Sequence, residues 1–137
     1  MVCSFHHEGR FSPSLSRVAV IKEDKHGMDF PLFCQHCEEC PPADDCPTGA
    51  LSKTIQGYIA LEEGACTGCG TCIEVCTFSA IRMGGESKPL ICDLCGGKPV
   101  CAERCPTKAL KYGESDEVPR LPEDVFRELR GRWGIGG

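Results

Sequence analysis

The sequence contains few aromatic residues and no long apolar stretch. Its 137 residues include six Phe, two Tyr and one Trp, which leaves a thin apolar core for one domain, or for two small domains that share a core. No apolar run approaches the length of a membrane span, so we expect no transmembrane segment. No hydrophobic signal segment follows Met1, and we therefore expect a cytoplasmic protein.

Basic residues are outnumbered by acidic ones. The chain has 15 Lys and Arg against 20 Asp and Glu, which gives a formal net charge of −5 at pH 7. We expect no binding to nucleic acid, because its phosphates repel an acidic chain. No general base, nucleophile or nucleotide-binding motif stands out in the sequence, so we expect the chain to catalyse nothing by itself.

Cysteine is abundant instead, with thirteen residues, and it occurs in a repeat. Three stretches each bring four cysteines together: CQHCEECPPADDCPTGAL from Cys34, CTGCGTCIEVCTFSAI from Cys66 and CDLCGGKPVCAERCPTKAL from Cys92. The phrases CPTGAL, CTFSAI and CPTKAL begin at positions 46, 76 and 105, so the period is close to 30 residues. A repeat of this length that carries its own ligands indicates one supersecondary unit used three times.

Iron-sulfur chemistry explains this spacing. In bacterial-type iron-sulfur proteins, three closely spaced thiolates hold three irons of a cubane cluster, and the fourth iron takes its ligand from elsewhere. The fourth cysteine of each motif, Cys46, Cys76 or Cys105, follows a short predicted helix and would reach a neighbouring cluster. Pro47 and Pro106 prevent that helix from continuing. The repeat therefore predicts three 4Fe-4S clusters, each of which adds about −2 to the charge when oxidised.

Disulfide bonds and structural zinc are the two alternatives to iron-sulfur clusters for these cysteines. Small secreted disulfide scaffolds are rich in cysteine, but they do not repeat a four-thiol motif at this density. Structural zinc sites usually draw on two Cys-x-x-Cys pairs separated by a longer loop, whereas residues 66–76 place four thiolates in eleven residues. A brown protein that absorbs broadly near the visible violet would exclude a zinc-binding interaction module.

The sequence predicts an α+β fold of tandem bacterial-ferredoxin-like units, with short strands and helices around the clusters. Each unit consists of a cysteine-rich loop, a short helix that ends at the fourth cysteine, and a strand after it. The strands predicted after the three motifs are residues 50–53, 80–83 and 109–112. Residues 57–61 and 89–91 are expected as partner strands, and residues 17–22, half of them β-branched, form a predicted strand before the first motif.

We divide the chain into a ferredoxin-like multi-cluster domain at residues 1–112 and a C-terminal arm at residues 113–137. A short helix is predicted in the arm at residues 123–132, with Pro122 at the first helical position. This helix either packs back on its own domain or docks a catalytic partner through Phe126, Leu129 and Trp133.

Residues 3–112 resemble the polyferredoxin-type electron-transfer subunits that accompany molybdenum or tungsten enzymes, hydrogenases and carbon monoxide dehydrogenases. The stretch CSFHHEGRFSPSLSRV, at residues 3–18, is similar to the small subunits of tungsten aldehyde oxidoreductases and class II benzoyl-CoA reductases. Family members typically have four motifs and four clusters. Here only Cys3 of the family's first motif is present, so either one cluster has been lost or the true start lies upstream.

The resemblance implies a non-catalytic subunit that relays single electrons through three 4Fe-4S clusters to or from a larger catalytic subunit. That partner would be a tungsten or molybdenum oxidoreductase of the aldehyde oxidoreductase or benzoyl-CoA reductase type, in an anaerobic, cytoplasmic setting. A soluble donor or acceptor such as ferredoxin would supply or collect the electrons. The alternatives are a subunit of a hydrogenase or carbon monoxide dehydrogenase, and a free soluble ferredoxin.

The resemblance also implies which cysteines share a cluster, because relatives exchange fourth cysteines between motifs two and three and between motifs one and four. The implied sets are Cys34, Cys37 and Cys40 with Cys76; Cys66, Cys69 and Cys72 with Cys46; and Cys92, Cys95 and Cys101 with Cys3. Thirteen cysteines and three clusters leave one thiol over, which is Cys105 in this scheme. In the simpler alternative, Cys105 completes the last cluster and Cys3 is the spare thiol.

The exchange scheme further implies that the Cys66 cluster lies between the other two. Relatives often place the third cysteine of their second motif at the position of Pro42, so the loop that carries Cys40 is expected to follow a different path. The four histidines are expected at the surface or at an interface and not among the ligands. They are His6, His7, His26 and His36.

Overall fold

The computed structural model of the protein describes residues 1–114, 116 and 120–134. Within these residues, short helices alternate with three separate two-stranded antiparallel sheets. This mixture confirms the predicted α+β class. The remaining positions of the predicted arm, 115, 117–119 and 135–137, lie outside the described residues.

The helices are short, and all but the last have seven residues or fewer. Isolated helices of this length are not stable in water, so tertiary packing and the surrounding loops hold them. Their bounds are α1 (Val2–Glu8), α2 (Pro41–Asp44), α3 (Thr71–Val75), α4 (Leu94–Gly97), α5 (Val100–Glu103) and α6 (Pro122–Arg132). Single 3-10 turns also occur at Pro13–Leu15 and Gly85–Ser87.

The strands form three hairpins. They are β1 (Ala19–Glu23) with β2 (Met28–Leu32), β3 (Leu51–Lys53) with β4 (Ile59–Leu61), and β5 (Arg82–Met83) with β6 (Pro89–Leu90). In the register, Ile21 is opposite Phe30, Ser52 is opposite Ala60 and Arg82 is opposite Leu90. A two-stranded hairpin is marginally stable alone, so each one depends on the core beneath it.

Five of the six predicted strands overlap a strand of the structure, but the strand predicted at residues 109–112 does not form. In the first two copies, the strand after the fourth cysteine pairs with the strand that leads into the next motif. The described residues after the third copy contain no further cysteine motif, so among them residues 109–112 have no such partner strand. The sequence-based prediction also missed β2, whose sequence MDFPL contains no β-branched residue.

A small apolar core connects the first two cysteine motifs. Leu51, Ile59, Ile81 and Ile91 are buried in one cluster, and Ile59 has no exposed surface. The core also includes two motif cysteines, Cys40 and Cys72. Because each aliphatic residue follows or precedes a cysteine motif closely in the sequence, their packing fixes where the thiols lie.

The three copies share a left-handed turn three residues after the fourth cysteine. Gly49, Ser79 and Lys108 have φ angles of 64°, 50° and 57°. Each donates its N–H to the carbonyl of the fourth cysteine of its own motif, at 3.1, 3.0 and 3.2 Å. Only the first copy uses glycine, which adopts this conformation without steric cost. The turn is therefore a geometry that the copies keep despite different residues.

Hydrogen bonds hold the N-terminal segment on the rest of the protein. Ser4 has no exposed surface; its hydroxyl donates to the carbonyl of Met1 at 2.8 Å and accepts the N–H of Ser12 at 3.0 Å. The guanidinium of Arg82 donates to the carbonyl of Ser16. α1 also packs against α5, so the start of the chain lies beside the third motif.

The C-terminal helix α6 packs back on β2. Phe126 is buried, and its ring meets that of Phe30 edge to face with centroids 5.8 Å apart. Leu129 is half-buried, whereas Trp133 is 56% exposed. The sequence left two roles open for this helix, packing on its own domain or docking a partner. Phe126 packs on its own domain, whereas Trp133 lies at the surface.

Candidate metal centres

Four thiols of the first and second motifs line one cavity, which we call the Cys34 site. Its cysteines are Cys34, Cys37, Cys40 and Cys76. Burial is the main cause that raises the pKa of Cys34 to about 11, and the charges of the other three thiols act in the same direction. The apolar side chains of Phe78, Ile81 and Ile91 complete the lining.

Three thiols of the second motif and one of the first line a second cavity, which we call the Cys66 site. Its cysteines are Cys66, Cys69 and Cys72 of the second motif and Cys46 of the first. The exchange follows from how the two helices meet. Cys40 immediately precedes α2 and Cys46 follows the end of that helix. Cys72 lies in α3 and Cys76 follows the end of that helix, and the two helices pack together.

The third motif gathers three thiols around the N-terminal cysteine, and we call this group the Cys92 site. After burial, the charge of Cys3 is one of the causes that raise the pKa of Cys92, Cys95 and Cys101. Cys3 is itself buried, and its sulfur accepts the N–H of Arg17 at 3.3 Å. Because α1 carries Cys3 and α5 carries Cys101, the packing of these helices brings the four thiols together.

Cys105 lies apart from the four-thiol sets, two residues after the end of α5. Its sulfur accepts the backbone N–H of Leu110, the main cause that lowers its pKa to about 7, and the Thr107 hydroxyl, 3.6 Å away, acts in the same direction. Cys46 is held the same way by the N–H of Leu51, and its pKa is also about 7. The third copy thus keeps the local geometry of a fourth cysteine, and the charge of Cys105 is among the causes that raise the pKa of Cys101.

The three cysteine loops have the same backbone conformation at one position. The residue two after the first cysteine is left-handed in each loop: His36, Gly68 and Leu94 have φ angles of 48°, 72° and 51°. At Gly68 a Cβ atom would lie 2.6 Å from the carbonyl oxygen of Ser87, so glycine is required there for packing as well. The shared turn folds each loop back around its own thiols.

Charged side chains fasten each loop to the rest of the chain. The ammonium of Lys53 donates to the carbonyls of Cys37, at 2.9 Å, and Glu38, at 3.2 Å. That of Lys88 donates to the carbonyls of Cys66, at 3.4 Å, and Glu63. In the third loop, the carboxylate of Asp93 accepts the N–H of Cys95 at 2.9 Å within the loop, and it lies 3.3 Å from Nε2 of His7 in the N-terminal helix. None of these side chains was singled out by the sequence pattern.

The order of the sites differs from the one implied by the exchange scheme. Burial is the main cause that raises the pKa of Cys92 to about 12, and the charge of Cys34 contributes more to the rise than that of Cys3. The Cys34 site therefore adjoins the Cys92 site, and it shares α2 and α3 with the Cys66 site. The Cys34 site thus adjoins both of the others, which does not agree with the expectation that the Cys66 site lies in the middle.

Two histidines contact motif thiols, so the expectation of surface or interface roles is wrong for them. Nδ1 of His36 is 3.8 Å from the sulfur of Cys34, and burial lowers the pKa of this imidazole. Nε2 of His7 is 3.8 Å from the sulfur of Cys95 and 3.3 Å from Oδ1 of Asp93. A signal for His36 was present in the sequence, since it lies inside a Cys-x-x-Cys pair.

His6 is exposed, but it belongs to a group in which its ring nitrogen, a ring nitrogen of His7 and the sulfur of Cys95 lie within 4.8 Å of one another. The fourth histidine agrees with the expectation. His26 lies in the turn between β1 and β2, where its Nδ1 is 2.6 Å from a carboxylate oxygen of Glu23.

The loop that carries Cys40 takes the expected different path. Cys72 and Cys101 lie inside the first turn of α3 and α5, whereas Cys40 is the residue before α2 begins. Pro42 occupies the second helical position, where the other copies have their cysteine, and it is buried. Cys40 nevertheless reaches the Cys34 site, where Cys37 and Cys76 both act on its pKa after burial.

These donor sets fit a metal group that accepts four thiolates. All thirteen cysteines lie within the described residues and are free thiols. Burial and the charges of neighbouring thiols raise the pKa of six of them, and a bound cationic metal offsets both effects. The six are Cys34, Cys40, Cys72, Cys92, Cys95 and Cys101. All-sulfur donor sets suit zinc or iron-sulfur clusters, so the donor chemistry is that of a metal-thiolate protein.

Comparison with known sequences distinguishes between zinc and iron-sulfur clusters. Residues 25–115 match the 4Fe-4S dicluster domain, so the metal-thiolate centres belong to the iron-sulfur class. The chain is a member of this 4Fe-4S dicluster family, and the matched range includes all three cysteine-rich loops.

Similar proteins include electron-transfer subunits of oxidoreductases. The chain is 39% identical over 107 residues to the polyferredoxin-like subunit of an aliphatic sulfonate oxidoreductase of Pyrococcus furiosus, with 77% of this chain and 61% of that one covered. It is 33% identical over 115 residues to the thiosulfate reductase electron transfer subunit PhsB of Salmonella typhi, covering 75% and 60%. One subunit of the anaerobic dimethyl sulfoxide reductase of Escherichia coli is 33% identical over 101 residues, covering 69% and 49%.

The chain thus spans about half to three fifths of these relatives. In the part of the chain that the structure describes, no helix is both long and apolar enough to cross a membrane.

Proposed function

We propose that this protein is the electron-transfer subunit of an oxidoreductase complex and that it holds three 4Fe-4S clusters, one in each of the Cys34, Cys66 and Cys92 sites. The observation that carries the proposal is the grouping of twelve of the thirteen thiols into three sets of four. When bound, such a cluster takes up and releases one electron at a time. Cys105 is the thiol left over.

The chain's own residues hold the sites and cover two of them on one side. The left-handed turns at His36, Gly68 and Leu94 fold each loop around its thiols, and Lys53 and Lys88 fasten two of these loops through their carbonyl groups. The aliphatic core beneath the Cys34 and Cys66 sites keeps water from that side. We assign no general base, nucleophile or substrate pocket to the chain, and the reaction belongs to its partner.

The partner is a larger catalytic metalloenzyme subunit. Relatives are subunits of sulfonate, thiosulfate and dimethyl sulfoxide oxidoreductases, which supports a role in a complex. From the resemblance of residues 3–18, we propose a tungsten or molybdenum partner of the aldehyde oxidoreductase or benzoyl-CoA reductase type. A soluble ferredoxin is the proposed second partner, and a cytoplasmic, anaerobic setting goes with this assignment.

The proposed cluster content predicts the metal analysis. Protein purified without oxygen is expected to contain about twelve irons and about twelve acid-labile sulfides, because each cubane needs four of both. The measurement is colorimetric iron and sulfide analysis with zinc determined on the same sample. About eight irons would contradict the third cluster, and stoichiometric zinc with little iron would end the electron-transfer proposal.

A pull-down tests whether the protein forms a stable complex with a catalytic subunit. Tagged protein purified anaerobically from its native host is expected to retain a larger subunit that contains tungsten or molybdenum, through an interface that survives gel filtration. A clean tagged protein that elutes alone, with its iron intact, would favour the free ferredoxin instead. A hydrogenase or carbon monoxide dehydrogenase subunit in the eluate would replace the proposed partner type.

A further inference from the structure

The imidazole of His36 contacts a thiol of the middle site with one nitrogen and buries the other. Nδ1 is 3.8 Å from the sulfur of Cys34, a distance at which a ring N–H reaches sulfur. Nε2 is fully buried and finds no hydrogen-bond partner among the described residues. The ring is therefore placed by its contact with sulfur and not by a second polar contact.

The position of the proton follows from this asymmetry. A neutral imidazole carries one N–H, on Nδ1 or on Nε2. A buried N–H without an acceptor at Nε2 would lose its full solvation, whereas the same proton on Nδ1 can be donated to the sulfur of Cys34. The tautomer with the proton on Nδ1 is favoured, and its N–H points to the thiolate.

The equivalent positions of the other loops have no such donor. Gly68 and Leu94 take the place of His36 in the second and third loops, with the same left-handed backbone. Neither side chain can donate a hydrogen bond. At the Cys66 site, hydroxyls contact two thiols: that of Thr71 is 3.4 Å from the sulfur of Cys69, and that of Thr48 is 3.7 Å from the sulfur of Cys46. At the Cys92 site, Nε2 of His7, from outside the loop, is 3.8 Å from the sulfur of Cys95. A histidine inside the cysteine loop itself thus distinguishes the middle loop from the two that share its fold.

We propose that His36 is a positioning residue that sets the reduction potential of the Cys34 site by donating a hydrogen bond from Nδ1 to the thiolate of Cys34. A hydrogen bond to a ligand sulfur stabilises the reduced, more negative form of a cluster and raises its potential. The middle site is thereby kept easier to reduce than its ligand set alone would make it. This inference rests on the proposed presence of a cluster in that site.

The loops themselves supply matched variants for the test. His36→Leu reproduces the residue of the third loop and His36→Gly that of the second, so neither demands an unfamiliar backbone. Both remove the donor, and we expect the reduction equilibrium of the Cys34 site to shift about tenfold towards the oxidised form, which is about 59 mV for one electron. His36→Asn keeps an N–H donor on a residue that tolerates a left-handed backbone, and it is expected to recover part of the shift.

The measurement is a potentiometric titration followed by EPR on the purified holoprotein. The signal of the Cys34 site is identified as the one that is lost when Cys34 and Cys37 are both replaced by alanine. His26→Asn is the control, since His26 pairs with Glu23 in a hairpin turn, and it should leave every potential unchanged. An unaltered potential in both His36→Leu and His36→Gly, at full iron content, would overturn the proposal.

An EPR measurement on the unaltered protein tests the hydrogen bond even if the His36 variants fail to assemble their clusters. In reduced protein labelled with ¹⁵N-histidine, a nitrogen coupling is expected on the signal of the Cys34 site, together with an exchangeable proton that disappears in D₂O. Absence of both would overturn the hydrogen bond even if no variant could be prepared. An iron content well below about twelve in the unaltered protein would instead count against the proposed function, so the two failures are distinguishable.

Discussion

Replacing Cys34 and Cys37 together by alanine should disconnect the two remaining sites from each other. The double variant removes two of the four thiolates of the Cys34 site, which is too few to retain a cubane cluster. Iron content is expected to fall by about a third, from about twelve to about eight. Electron transfer across the protein to its catalytic partner should fall to near background, because the site that adjoins both others is empty.

The physical reason is the arrangement of the thiols. Cys34 lies close enough to Cys92 for its charge to raise the pKa of that buried thiol, whereas the Cys66 site is joined to the Cys34 site by α2 and α3. Electron transfer slows steeply with distance. Removal of the middle site should therefore lower the rate of electron transfer across the protein more than removal of an end site. The matched variant is Cys66→Ala with Cys69→Ala, which empties an end site and leaves two neighbours.

EPR of the fully reduced proteins determines the order of the three sites without the catalytic partner subunit. Neighbouring reduced clusters broaden each other's signals through their spins. The variant without the Cys66 site should keep this interaction between its two remaining clusters, and the variant without the Cys34 site should show two separate, sharper signals. The opposite pattern would restore the order in which the Cys66 site lies in the middle.

The ligand groups are the part of this molecule that its sequence reveals best. Thiol spacing within a motif is a local property, and the position of Cys46 or Cys76 after a short helix follows from the same few residues. Their partners across motifs came from the resemblance to a family. The structure brings the thiols into those groups, with Cys3 beside the third motif, and their binding of clusters stays a prediction.

Properties that depend on distant contacts were harder to anticipate. The adjacency of the Cys34 and Cys92 sites arises from packing between segments about sixty residues apart, for which no local pattern exists. The strand predicted at residues 109–112 has suitable residues but no partner strand. The roles of His36 and His7 depend on where a ring is pointed by a left-handed turn and by Asp93. The sequence around His7 gives no sign of its contact with Cys95, whereas the position of His36 inside a Cys-x-x-Cys pair was a signal for its contact with Cys34.

The two thiols that compete for the Cys92 site should respond in opposite ways to replacement. Cys3→Ala is expected to lose or convert one cluster, with a fall of up to about four irons from about twelve, whereas Cys105→Ala should keep all of them. Cys3 is buried near Cys92, Cys95 and Cys101, and its sulfur accepts the N–H of Arg17. Chain ends are ordinarily frayed and tolerant of change, so a severe loss at residue 3 requires a specific bond such as thiolate to iron.

Chemical labelling separates the same two thiols in the unaltered protein. The pKa of Cys105 is lowered from 9.0 to about 7, mainly by the N–H of Leu110, so this thiol becomes a nucleophilic thiolate as the pH rises through about 7. Iodoacetamide should therefore label Cys105 in the intact holoprotein, at a rate that rises between about pH 6 and pH 8 and then levels off. An ordinary thiol would still be gaining reactivity at pH 8.

Cys3 should stay unlabelled until the clusters are removed with acid or a chelator, because a thiolate bound to iron is not free to react. Mass spectrometry of peptides from protein treated before and after iron removal measures both residues in one sample. If Cys3 is labelled and Cys105 is protected in protein that contains about twelve irons, then Cys105 completes the third cluster. The exchange of cysteines between the first and fourth motifs of the family would then not extend to this chain.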